Sequence, residues 1–160
     1  MTAHVQRASQ VLPLPLEDVF AFFARPENLA RITPPELGFV LLSSSPVRME
    51  AGCLIDYRIR VLGLPLRWTS VITAYEPPHR FVDEQRRGPY ASWRHVHGFS
   101  AVPGGTLIAD EVTYELPLGP LGEVAHVLFV RRQLARIFAY RAARIGALLA
   151  EPELRGGGPA

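Results

Sequence analysis

The sequence predicts an α+β fold: one curved antiparallel sheet of about six or seven strands, wrapped around a long C-terminal helix. Two short helices follow the first strand. Three observations carry this reading. From Phe39 to Leu116 apolar and polar residues alternate with period two, in runs broken by Gly and Pro. The breaks are short, and short connections require neighbouring antiparallel strands. From Leu121 to Leu149 no breaker interrupts the chain except Gly146, and apolar residues recur at helical spacing. A helix of that length, about 40 Å at 1.5 Å per residue, needs a sheet on which to bury its one apolar face.

Val5 to Leu12 reads as the first strand. Pro15 then suits the first turn of a helix, where its missing N–H costs nothing. Leu16, Val19, Phe20 and Phe23 follow at helical spacing, with Glu17 and Asp18 at the positive end of the helix dipole. Arg25-Pro26 breaks that helix, and a second one runs from Glu27 to Ile32 before Thr33-Pro34-Pro35. Strands are expected at Phe39–Ser44, Cys53–Val61, Leu66–Thr73, Arg80–Gln85, Tyr90–Val102 and Thr106–Leu116. The last two are joined across Pro103-Gly104-Gly105. On the final helix the stripe of Val124, Val127, Leu128, Leu134, Ile137, Phe138, Ile145 and Leu148 should face the sheet. Residues 1–150 read as one domain and 151–160, ending Arg155-Gly156-Gly157-Gly158-Pro159-Ala160, as a flexible tail.

Composition narrows the function classes. The chain has 160 residues, 48% hydrophobic and 20% charged, which is globular and long enough for a real core. One cysteine, Cys53, excludes a disulfide framework and multi-cysteine zinc sites. All 17 basic residues are arginine, but 15 acids balance them, so nucleic acid is not an expected partner. No run of eighteen apolar residues exists, so no membrane span is expected. The N-terminus lacks the apolar core of a signal peptide, which points to a cytoplasmic location.

Several segments together resemble the SRPBCC superfamily of START-like, polyketide cyclase/dehydrase-like helix-grip proteins, in particular its small single-domain bacterial ligand-binding members. They are Phe22-Phe23-Ala24-Arg25-Pro26-Glu27-Asn28-Leu29 with Ile32-Thr33-Pro34-Pro35, and Phe81-Val82-Asp83-Glu84-Gln85 with Gly88-Pro89-Tyr90. Trp93-Arg94-His95-Val96-His97-Gly98-Phe99, Gly105 to Tyr114 and Ile137-Phe138-Ala139-Tyr140-Arg141 complete the match. The resemblance implies a helix-grip fold with an internal pocket. It does not imply a reaction, since this scaffold serves carriers, enzymes and adaptors.

The polar residues of the strands need a purpose. Side chains alternate along a strand, so Trp93, His95, His97 and Phe99 share one face, and the smaller opposite row marks that face as inward. By the same reasoning Asp110 points inward with Val112 and Tyr114, and Asp83 and Gln85 point inward with Phe81. Polar groups left dry and unpaired cost several kcal/mol. Asp83, Gln85, His95, His97 and Asp110 must therefore satisfy each other in the core, or line a pocket. A two-histidine, one-carboxylate metal site is the third reading, but no acid follows His97 closely; neither metal nor cofactor is expected. Across a three-residue turn the inward faces of the last two strands match only with a one-residue irregularity. That shift would bring Asp110 to His97.

Three functions follow in order. The first is binding of a small hydrophobic molecule, lipid-, isoprenoid- or polyketide-like. Its apolar wall would include Ile55, Tyr57, Ile59, Trp68, Ile72 and Phe81, then Trp93, Phe99, Val112, Tyr114, Ile137 and Phe138. Arg141, on the helix stripe, would reach the pocket or snorkel past its rim. The second is a cyclase, dehydratase or hydrolase with His95 or His97 as acid or base, set by Asp83 or Asp110. The third is a protein-interaction adaptor, or a homodimer, using Phe129, Val130 and Tyr140 off the helix stripe.

Overall fold

The computed structural model describes residues 1–149, and of Leu149 the backbone only. The expected tail at 151–160 lies outside the described residues. Seven strands form one antiparallel sheet: β1 Ala3–Leu12, β2 Val40–Leu41, β3 Leu54–Val61, β4 Leu64–Glu76, β5 Arg80–Arg87, β6 Ser92–Val102 and β7 Gly105–Glu115. Their order is β1-β7-β6-β5-β4-β3-β2, so every neighbour from β2 to β7 is consecutive in sequence and β1 closes the far edge beside β7. Helix α1 covers Leu16–Phe23, followed by a tighter 3₁₀ stretch at Pro26–Ile32 and a single turn at Pro35–Leu37. The long C-terminal helix begins as α2, Pro120–Ala125, passes through a π-helical turn at His126–Val130 and continues as α3, Arg131–Leu149.

The core is solid at one end and hollow at the other. Under α1, Phe20 and Phe23 pack with Phe81, Phe99, Ile108, Ile145 and Leu148 in one buried cluster. Phe20 meets Phe81 and Phe99 edge to face, ring centroids 6.0 and 5.3 Å apart, a favoured aromatic geometry. A second cluster joins Val112, Tyr114, Leu134 and Phe138 beneath the helix. Toward β3 and β4 the sheet and α3 enclose open space rather than packed side chains. The β4–β5 pairing there is irregular at two points, with Arg86 of β5 and Thr73 of β4 each an extra residue, the kind of insertion that bends a strand locally.

Two expectations are corrected here. The β6–β7 hairpin is regular throughout: Val102 pairs with Gly105, leaving the two-residue turn Pro103-Gly104, and His97 lies opposite Asp110 with no bulge. The three-residue count was one too long because Gly105 joins the ladder, at a φ of +151°. The irregularities sit in the β4–β5 pairing instead. The helix stripe is also out of phase at its start: Val124, Val127 and Leu128 are exposed, while Phe129 and Val130 line the interior cavity. A π turn takes more residues per turn than 3.6, so a period counted back from Leu134 overshoots across it.

Candidate functional site

A cavity of about 370 Å³ lies between the bent half of the sheet and the start of α3. Small-molecule sites have this scale. Its strand-side wall is aromatic and aliphatic. Tyr57 stacks on Trp68 at 5.8 Å, and Trp68 meets Trp93 at 5.2 Å and 86°. Trp68 Nε1 is buried without a hydrogen-bond partner. Leu134, Ile137 and Phe138 face the cavity from α3, and Leu29, Thr33 and Met49 from the connections after α1.

Charge is confined to one end. Asp83 on β5, His95 and His97 on β6 and Asp110 on β7 form a four-group cluster. The imidazoles stack on each other with centroids 3.6 Å apart, and Phe81 stacks beneath His97 at 4.1 Å. In register Asp83 lies opposite His95, and His97 opposite Asp110. The hydrogen bonds run along the diagonals instead: His95 Nε2 to Asp110 Oδ1 at 2.8 Å and His97 Nε2 to Asp83 Oδ2 at 2.7 Å. His97 Nδ1 lies 3.3 Å from Asp110 Oδ1 but off line for a hydrogen bond. Asp110 therefore bonds His95, not His97 as the hairpin count implied.

Burial opposes ionisation of both carboxylates, yet both are held below the ordinary range. The His97 bond and the neighbouring imidazoles hold Asp83 down, and the His95 bond with the charges of both imidazoles holds Asp110 down. Ionised carboxylates accept, so the ring nitrogens facing them carry the hydrogens. Burial and the charge of its stacked neighbour push His95 below its ordinary value. His97 is raised: burial works against its charged form, but Asp110 and Asp83 outweigh it. Between the two imidazoles the environment thus favours the added proton on His97 over His95, facing two carboxylates. Arg141 balances the cluster from α3, its guanidinium 5.3 Å above the Phe138 ring and its Nε buried without a partner.

Of the residues singled out from the sequence, Tyr57, Trp68, Phe81, Asp83, Trp93, His95, His97, Phe138 and Arg141 line the cavity. The others do not. Gln85 turns back to bracket Tyr90, its amide donating to Tyr90 O at 2.9 Å and accepting from Tyr90 N at 3.1 Å. Phe99 packs under α1. Val112 is sealed beneath the helix. Tyr114 is buried against His126, with its hydroxyl 2.9 Å from Nε2. Asp110 stands behind His95. Sequence reasoning missed Ser70, Gln133, Phe129 and Val130, all of which line the cavity. Ser70 shares the inward row of Trp68 and Ile72, a signal available from alternation alone. The other three depend on the π turn.

Among the described residues two clusters bring three possible metal-ligand atoms within 4.8 Å of one another: Asp83, His95 and His97, and His4, Glu123 and His126. In each, a ligand atom already serves a hydrogen bond, so a metal would have to displace the His97–Asp83 bond in the first or compete with the His4–Glu123 contact in the second.

The comparisons place this architecture. The profile of the polyketide cyclase/dehydrase and lipid transport family matches residues 12–139, and the chain belongs to that family. A START superfamily protein from Mycobacterium smegmatis superposes with a TM-score of 0.67 at 12% identity, over 91% of this chain and 99% of that one. The Q3J4M4_RHOS4 protein from Rhodobacter sphaeroides gives 0.65 at 17%, over 93% and 99%. A nucleoside-diphosphate sugar epimerase from Corynebacterium glutamicum gives 0.61 at 26% over 87% of this chain, which spans only 28% of that protein. A search of curated proteins finds no match. The fold is the helix-grip fold expected from the resemblance.

Proposed function

We propose that the protein binds a small, mostly apolar molecule in this cavity, with an acidic or strongly oxygen-bearing head at the Arg141 end. The carrying observation is the segregation of the cavity: aromatic and aliphatic walls, with all its charged groups at one end. Arg141 has hydrogen-bond donors to offer, and its unpaired Nε favours a ligand that brings an acceptor. Membership of a family that includes lipid transport supports an apolar body. No metal or cofactor is part of this proposal.

The chain's two tryptophans, Trp68 and Trp93, both line the cavity, so their emission reports its occupancy. Titration with a long-chain fatty acid and the matched alcohol is expected to change that emission, with the acid binding more tightly. Arg141→Gln should remove the preference, roughly tenfold or more, because hydrogen bonds to charged groups are the strong ones. An acid and an alcohol that both leave the emission unchanged would refute the proposal. Native mass spectrometry of freshly purified protein tests independently for a retained molecule.

The His95–Asp110 pair favours a second reading, acid–base catalysis on the bound molecule. Asp110 holds Nε2–H of a neutral His95, whose Nδ1 has no carboxylate nearer than Asp83 Oδ2 at 3.8 Å. That nitrogen suits a general base beside the ligand's head. Loss of turnover in His95→Gln, with binding retained, would mark it.

A further inference from the structure

The surface beside the cavity carries a feature that ligand binding leaves unexplained. From Leu118 to Leu128 the outward-facing side chains are Leu118, Leu121, Val124, Val127 and Leu128, with Pro120 and Ala125 between them. Leu121 and Leu128 are 71% and 67% exposed. The stretch has one charged side chain, Glu123, which pairs with His4 at 3.1 Å and stays 37% exposed. A helical face whose exposed side chains are apolar but for one ion-paired glutamate is abnormal for a surface in water. The turn between β3 and β4 extends it. Leu62, 79% exposed, shares a groove with Leu128 and Phe129.

Two further properties identify the occupant. The groove and the ligand cavity have Leu37, Leu62, Phe129, Gln133 and Ile137 in common, so the Leu62–Leu128 edge of the apolar face adjoins the cavity. The groove is also bordered by Arg60, Arg132 and Arg136, with Arg131 exposed just beyond. Glu36 pairs with Arg136. Arg60, Arg131 and Arg132 have no ion pair among the described residues. An apolar face with arginines at its margin fits the plane between lipid tails and anionic headgroups. A second copy of the chain, docked face to face, would bring the arginines of each copy against those of the other, which disfavours it.

We propose that the face formed by Leu62, Leu118, Leu121, Val124 and Leu128 docks onto an anionic lipid bilayer, seating the cavity over the membrane. The proposal stands on the exposed face and its charges, and it does not require the ligand assigned above.

Vesicle sedimentation of the purified chain, with no ligand added, tests it. The protein is expected to co-sediment with phosphatidylcholine vesicles containing phosphatidylglycerol, and more weakly with phosphatidylcholine alone. The pair Leu121→Asp and Leu128→Asp should weaken binding to both kinds of vesicle, roughly tenfold or more. Arg131→Gln with Arg132→Gln should lower binding to anionic vesicles about thirtyfold, from about fivefold per arginine, and leave neutral vesicles unaffected. All four positions are exposed, and unchanged melting confirms that the variants fold. Absence of vesicle binding, or variants that bind like the parent, overturns the proposal. So does a dimer in sedimentation velocity that Leu128→Asp dissociates while vesicle binding stays absent, which assigns the face to a second copy. Ligand titration is a separate measurement, so failure of docking and failure of the pocket reading are distinguishable.

Discussion

Four side chains from three strands decide what the buried end of the cavity can be. Two carboxylates flank two imidazoles whose rings are 3.6 Å apart, close enough that two positive charges there would repel. One proton shared by the pair, with Arg141 beside it, leaves the group near neutrality. The shifts give a pH signature with opposed limbs. His97 is raised, so its contribution to stability is complete below the ordinary imidazole value, about 6.5, and is lost as pH rises through its folded value. His95 is lowered, so its contribution is present above about 6.5 and is lost as pH falls through its folded value. The depressed carboxylates add their loss further into acid, below about 3.9. Thermal stability should therefore peak near pH ~6.5. Asp110→Asn is expected to lower the peak and to flatten the alkaline decline, because it removes one of the two carboxylates that hold the His97 proton. Melting followed by circular dichroism from acid to alkaline pH reads both effects. A parent profile that stays flat between neutral and alkaline pH would show that His97 carries no preferential charge.

At the scale of elements, two local devices decide which residues reach the site. The hairpin turn at Pro103-Gly104 sets the β6–β7 register, and so the placing of Asp110 against the imidazoles. Its glycines answer to different constraints. Gly104, at a φ of +88°, has open space around it, so alanine there adds backbone strain of about 1–2 kcal/mol. At Gly105 a β-carbon would collide with the Leu12 carbonyl, so alanine there must also displace β1, at a cost of about 3 kcal/mol or more. Denaturant melts of Gly104→Ala and Gly105→Ala should rank in that order, and equal losses would show that the β1 contact yields freely. The second device, the π turn at His126–Val130, rotates Phe129 and Val130 toward the cavity and turns Val124, Val127 and Leu128 outward. The strands were legible in the sequence because each has one face in water and one in the core, and that contrast is what alternation records. The inward placing of Asp83, His95 and His97 followed from it directly. Partner choice did not: alternation assigns a face, whereas bonding along the diagonals depends on strand twist and on how two rings stack. The phase of the helix start was illegible for a similar reason, since an extra residue in one turn leaves no mark in composition.

The whole molecule divides its interior between packing and vacancy. Under α1 the phenylalanines of α1, β5 and β6 fill the space, while between β3, β4 and α3 about 370 Å³ stays open. An apolar cavity sacrifices dispersion contacts that a filled core would gain. If the space exists for a ligand, filling it should separate stability from binding. Ile59 is the suitable position. It lines the cavity from β3, where it pairs with Leu66, six residues along β4 from the Ile72 that pairs with Asp83, so a larger side chain there enters the vacancy from the uncharged end. Ile59→Trp is expected to keep or raise the melting temperature, because the ring gains contacts in space already present. It should also abolish the ligand-induced change in Trp68 and Trp93 emission, measured against the variant's own baseline. Overpacking would act differently and lower stability by about 1–3 kcal/mol. That outcome would mean that β3 and α3 have no room for the ring. A variant that stays stable and still binds the fatty acid as tightly as the parent would show that the ligand occupies some other part of the molecule. A stable variant that no longer binds would tie recognition to the volume that β3, β4 and α3 leave unfilled.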